Sequence, residues 1–206
     1  MNNGYWVAIV SIVVTILLLT GWRRLLLGNI PRWIILLFVA GCAASGWLIW
    51  EAGEAVVQAN VAWLLLWGLV AAAVAAKEPG ASYLAFGCVL VVILWFWSGR
   101  LYAADPAIVL YKPEWDGPLL AGFAAGFLAP RFRDQFAILA CALPTADLLL
   151  SISLSKTIMM GGAAWWDRFV AAAVTARLTA AVLWLIASGC SRASAHLFKN
   201  EGGRAS

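Results

Sequence analysis

Two apolar runs near the C-terminal end decide the fold: FAILACALPTADLLLSISL, residues 136–154, and FVAAAVTARLTAAVLWLIASG, residues 169–189. Each is long enough to cross a hydrocarbon layer as a helix, and each carries one ionisable residue near its middle, Asp147 and Arg177. An Asp or Arg at mid-bilayer costs roughly 2.5–3.5 kcal/mol, while each Leu, Ile, Val or Phe returns only about 0.3–0.6 kcal/mol. The second run has eight such residues, so its arginine nearly cancels them. Two marginal spans that each hide one charge of opposite sign read as partners, and an Asp147–Arg177 ion pair is expected. Counted from their ends on one side of the membrane, the two residues lie about 17 and 18 Å deep, level with each other in antiparallel neighbours. Pro144 removes a backbone donor and should bend the first helix just below its aspartate. Asp147, Ser151 and Ser155 then share one face as a polar track.

Composition extends this reading to the whole chain. Of 206 residues, 64% are hydrophobic and 12% charged, against roughly 45–50% and 25% in a soluble domain. Apolar runs at 5–20, 33–50, 59–76, 82–98 and 119–130 precede the two above, and no polar stretch is long enough to fold separately. The expectation is an all-α polytopic bundle of about seven spans forming one domain over residues 1–191, with a polar cytoplasmic tail at 192–206. The run at 119–130 is short, reaching about 18 Å as a helix, and the count falls to six if it is re-entrant. The +4 formal charge invites a polynucleotide reading, but the basic residues lie beside apolar spans, so the lipid bilayer is the partner and nucleic acid is not.

Sidedness follows from the cations. Arg23, Arg24, Arg32, Lys77, Arg131, Arg133, Arg192, Lys199 and Arg204 fall on one side, and Arg100, Lys112, Lys156 and Arg168 on the other. The positive-inside rule puts the first set, with the C-terminus, in the cytoplasm and the N-terminus outside. The connection at 99–118 carries Pro106, Pro113 and Pro118, which argues against a continuing helix, and 107–111 reads as a short strand or a surface segment.

Three smaller features complete the inventory. Gly122 and Gly126 form a G-x-x-x-G pair that lets another helix approach closely. Glu51, Glu54 and Gln58, spaced i, i+3 and i+7 and flanked by Trp50, form one helical side and a candidate outer vestibule for a cation or amine. Nine of the thirteen tryptophans fall on the outer half, as an interfacial belt does. Four cysteines without C-x-x-C spacing give no metal or disulfide framework. Motifs for hydrolases, metalloproteases, P-loops and dinucleotides do not occur, so no enzyme, catalytic residue, metal or cofactor is expected.

At Thr20-Gly21-Trp22-Arg23-Arg24, after the first span, and in its length and multipass layout, the chain resembles the YphA-like small membrane proteins of endospore-forming Firmicutes. The resemblance covers the whole chain. It implies a multipass plasma-membrane protein of unassigned activity, linked to spore envelope formation, and it carries over no site residues. Two functions compete. One is a non-enzymatic scaffold or assembly factor, working with a membrane-protein partner or as a homo-oligomer. The other is a small solute transporter or substrate-binding membrane subunit using an intramembrane Asp/Arg site, similar in length and span count to the substrate-binding subunits of energy-coupling-factor vitamin transporters.

Overall fold

The computed structural model describes residues 4–22, 27, 30–52, 55–77, 82–155 and 157–202, with side chains as far as Ser191. Arg23, Arg24, Glu54 and Lys156 lie outside that set. Among the described residues there are seven long helices: α1 (Tyr5–Leu19), α2 (Arg32–Ser45), α3 (Ala59–Ala75), α4 (Ser82–Ala104), α5 (Pro113–Leu128), α6 (Phe132–Ser153) and α7 (Ala163–Gly202). Three of them, α4, α6 and the Ala163–Ser191 part of α7, are long and apolar enough to cross a membrane; α1, α2 and α3 are shorter apolar helices.

Close approaches fix the relative directions. Tyr83 meets Asp134 and Trp95 meets Asp147, so α4 and α6 run parallel. Gly122 lies against Ala172 and Thr175, and Gly126 against Ala176 and Thr179, so α5 and α7 are parallel as well. Gly4 abuts Ala163 and sets α1 alongside them, while Gly68 packs on Ala140 in an antiparallel crossing of α3 and α6. Odd-numbered helices therefore point one way and even-numbered helices the other. The upper end of the bundle holds Gly4, Ala104, Ser153 and Ala163; the lower end holds Arg32, Lys77, Ser82 and Phe132.

Helix α6 is the axis of the core. Ala137, Ala140, Ala142 and Ala146 are buried on it, and α3 and α4 pack closely against it, Gly68 on Ala140 and Gly87 on Ile138. The G-x-x-x-G reading is borne out. A Cβ at Gly122 or Gly126 would run into the carbonyl oxygen of Ala172 or Ala176, so only glycine permits this contact between backbones.

Several expectations are corrected. Span two does not continue to residue 50: α2 stops at Ser45, whose hydroxyl turns back to the Gly41 carbonyl. The following residues form a hairpin, β1 (Ile49–Ala52) with β2 (Ala55–Gln58), and β3 (Ile158–Met160) pairs with β2 in parallel. Short runs such as Ile49-Trp50 and Val56-Val57 favour pleated backbone, and the sheet sits over the upper end. In a strand successive side chains alternate, so the helical vestibule of Glu51, Gln58 and Trp50 does not form. Ile49 pairs with Gln58 and Glu51 with Val56, which puts Trp50 on the opposite face from Glu51. Glu54, the fourth member of that group, is among the residues not described.

The long connection also shrinks. Helix α4 runs past Gly99 to Ala104, and α5 begins at Pro113, where a missing N–H costs nothing. Between them, 106–108 make one 3-10 turn capped by the Asp105 carboxylate, and the strand alternative for 107–111 is not formed. The span read as residues 119–130 thus belongs to a helix of 16 residues, about 24 Å long. Finally, α7 starts six residues before the predicted boundary and continues as helix through the expected polar tail to Gly202.

Candidate functional site

Asp147 sits in the last third of α6, one turn beyond Pro144, which is buried and leaves the Ala140 carbonyl without its helical donor. The carboxylate is held from two other helices. One oxygen accepts the indole N–H of Trp95 on α4 at 2.9 Å, and the other accepts the indole N–H of Trp165 on α7 at 2.8 Å. The guanidinium of Arg168, one turn after Trp165, stands 3.9 Å from the first oxygen. Its carbon lies 6.0 Å from the centre of the Trp95 ring, a cation–π position. Trp165 stacks on Phe169 at 5.9 Å, and Trp95 packs over Gly117 of α5. Three helices meet at one carboxylate, and α5 backs the Trp95 ring.

The cation beside Asp147 is therefore Arg168, and the expected Asp147–Arg177 pair is not formed. The reason is the early start of α7. With Ala163 as its first residue, Arg168 is inside the helix at the level of Asp147, and Arg177 follows nine residues later, about 13 Å further along and half a rotation round the axis. Arg177 lies beside Ala176, whose carbonyl accepts from Gln135 at the lower end. The polar track shortens too: Ser151 stays on α6, half-buried, but Ser155 lies beyond the helix end with φ of 50°.

Trp95, Trp165 and Arg168 were not singled out by sequence as site residues. The two tryptophans were counted in an interfacial belt, to which exposed Trp47, Trp50 and Trp97 conform, and Arg168 was counted as an outer charge. The available signal was Gly161-Gly162, the natural break before a helix that takes in Trp165, Trp166, Asp167 and Arg168 together.

Two further carboxylates at the upper end organise backbone. Asp167 is buried and accepts the amide N–H groups of Gly4 at 2.7 Å and Val7 at 2.8 Å, capping α1 from another helix. Asp116 lies ahead of the apolar part of α5 and accepts from Leu110, Tyr111 and Lys112. Burial opposes its ionisation, yet these amides and the Tyr102 hydroxyl outweigh burial and hold the carboxyl below its usual range.

A model of YphA-like integral membrane proteins matches residues 3–201, nearly the whole chain. The chain belongs to that family. No curated protein and no solved structure matches it. Family membership makes it an integral membrane protein, and within it both oxygens of the buried Asp147 carboxylate are engaged by fixed donors of the protein itself. Chemically, such a carboxylate is a three-way fastener between α4, α6 and α7.

The Asp167 cap gives a direct expectation. Helix α1 has no fully buried residue, so the cap and the edge-on contact of Trp6 with Trp115 at 5.8 Å carry much of its attachment. Asp167→Ala should raise amide exchange over residues 4–9 about tenfold, as expected for a lost cap of about 1–2 kcal/mol, and leave α6 unchanged. Equal exchange in the variant and the parent would show that α1 is held by other means.

Proposed function

We propose that the chain is a non-enzymatic scaffold or assembly factor of the plasma membrane, linked to spore envelope formation, that crosses the bilayer seven times with its N-terminus outside. The observation that carries the reading is the engagement of both Asp147 oxygens by indole N–H groups of two other helices. A carboxylate whose oxygens are both engaged by the fold's own indoles holds helices together, and an intramembrane acid kept for a solute or proton would present a free acceptor. The alternation of helix direction supports the seven crossings. Arg32, Lys77, Arg131 and Arg133 at the lower end support a cytoplasmic assignment of that end. Single cysteines at Asn3 and Ala104, in a background without the native four, should react with an impermeant thiol reagent on intact cells, and protection of both would reverse the orientation.

A solute-transport reading has one observation in its favour. The Arg168 side chain is 32% exposed and sits at 3.9 Å from its acid, outside hydrogen-bond reach, so an ion could displace it. Asp147→Asn separates the two. The amide keeps the shape and one acceptor but loses the charge. A scaffold with this variant should support spore formation in an endospore-forming host and retain its co-purifying membrane partners in mild detergent. A well-folded variant that fails in the cell would favour transport.

A further inference from the structure

Exposed aromatic side chains on the flanks of the bundle fall into two rings. The upper ring has Trp6 on α1, Trp47 just past α2 and Trp97 on α4; the lower ring has Trp22 just past α1, Trp33 on α2, Tyr83 on α4 and Trp184 on α7. Contacts between helices set their heights. Gly4 against Ala163 brings Trp6 level with Trp165, and Trp95 shares the Asp147 carboxylate with Trp165, so Trp97 stands within a turn of that height. At the other end the Tyr83 hydroxyl donates to Asp134, whose neighbour Gln135 reaches the Ala176 carbonyl, about two turns above Trp184.

The rings are close together. At about 1.5 Å per residue, Trp6 to Trp22 is about 24 Å, Trp33 to Trp47 about 21 Å and Tyr83 to Trp97 about 21 Å. Tryptophan and tyrosine settle at the headgroup level, so in an ordinary bilayer the two rings stand at least one hydrocarbon core apart, roughly 30 Å. Tilt widens the discrepancy, because a tilted helix reaches less far across the layer. Polar residues agree with the rings. Helix α4 runs on past Trp97, but that part carries exposed Arg100, which donates to the Ser153 carbonyl. Arg32 and Lys77, both exposed, close the lower ends of α2 and α3, helices of 14 and 17 residues. Helices α1 and α2 have no buried residue, so their apolar flanks are the surface that lipid meets. Among the described helices α7 alone continues well below the lower ring, as far as Gly202. We propose that the bundle is fitted to a hydrocarbon layer of about 21–24 Å and thins an ordinary bilayer around itself, so that short-chain phospholipid is the partner its flanks fit best. The inference rests on the seven crossings proposed above.

The test reconstitutes the full chain in vesicles of phosphatidylcholine with dimyristoleoyl, dioleoyl or dierucoyl chains, which share a headgroup and differ in thickness. Tm should be highest in dimyristoleoyl vesicles, about 5–10 °C lower in dioleoyl, as a mismatch of about 6–9 Å implies for a chain of this length, and lower still in dierucoyl. Nitroxides on single cysteines replacing Trp33 and Trp97, in a background without the native four, read depth directly. In dioleoyl vesicles both should be reached by a water-soluble relaxation agent, while a nitroxide at Val89, exposed on α4 between the rings, should be shielded. Should a cysteine variant fail to fold, the Tm series on the parent decides. Equal Tm in the three lipids, an optimum in dioleoyl or dierucoyl vesicles, or a shielded nitroxide at either ring position overturns the proposal. Labelling at Asn3 and Ala104 reports the crossings separately, so a dioleoyl optimum with that labelling as expected rejects the thin layer and leaves the topology standing.

Discussion

Asp147→Leu should lower the stability of the detergent-solubilised protein by about 2–5 kcal/mol, or roughly 5–15 °C in Tm for a chain of this size. Most of that loss comes from the indoles. Removing the carboxylate strands the N–H groups of Trp95 and Trp165, which are buried and now 2.9 and 2.8 Å from where an acceptor used to be. Each orphaned donor costs about 1–3 kcal/mol. The Arg168 contribution is smaller, because its side chain is 32% exposed and solvent screens it. Replacing donors and acceptor together changes the sign of the argument. The triple variant Asp147→Leu, Trp95→Phe, Trp165→Phe leaves neither indole N–H stranded and, with Arg168 part-exposed, should recover much of the loss. Arg177→Leu combined with Asp147→Leu should give additive losses within about 0.5 kcal/mol, as sites more than 10 Å apart do. Strong coupling between 147 and 177, with none between 147 and 165, would refute this assignment of partners.

That reassignment shows what the sequence could and could not convey. Helices α1 and α3 begin and end within a residue of the apolar runs, because Gly21 and Lys77 terminate them abruptly. The acid of the central site was also legible, since an Asp in an apolar run must be compensated. Its partners were not. Hydropathy treats tryptophan as an interfacial residue and gives no weight to its single N–H, yet two such groups are what satisfies the carboxylate here. The same treatment placed Asp167 and Arg168 outside the membrane and delayed the start of α7 to Phe169. One acid of that pair caps α1 and the arginine faces Asp147, so both are used inside the bundle. The sheet was hidden for a different reason. Strands of three or four residues between apolar helices carry too few positions for period two to stand out from period 3.6, and the parallel pairing of β2 with β3 joins segments about a hundred residues apart.

Valine at Gly122 and Gly126 together should be the most damaging change confined to one helix face, lowering Tm by at least 10 °C or preventing accumulation of folded protein. The obstacle is the backbone. A Cβ at Gly122 would meet the Ala172 carbonyl oxygen and lie 2.8 Å from the Thr175 Cβ, and one at Gly126 would meet the Ala176 carbonyl oxygen and lie 2.8 Å from the Thr179 Cβ. Overpacking a core by a methylene or two costs about 1–3 kcal/mol when side chains can shift. Here they cannot, so trimming Thr175 and Thr179 to alanine should not rescue the variant. Gly99 is the contrast: its neighbour is the end of the Leu150 side chain, which can rotate, and Gly99→Ala should cost less than Gly122→Ala. Gly189 supplies the opposite control. It faces open space within α7, so Gly189→Ala should be neutral or raise stability by up to about 1 kcal/mol through helix propensity. Separation of α5 from α7 would also pull Ala129 and Ala176 apart, the two carbonyls that Gln135 bridges at 2.7 and 3.4 Å, and so unpin the lower end of α6. Cross-linking between cysteines placed at Phe123 and Ala171 should fall in the double valine variant, and a parent-like Tm with undiminished cross-linking would show that α5 and α7 do not need glycine to meet.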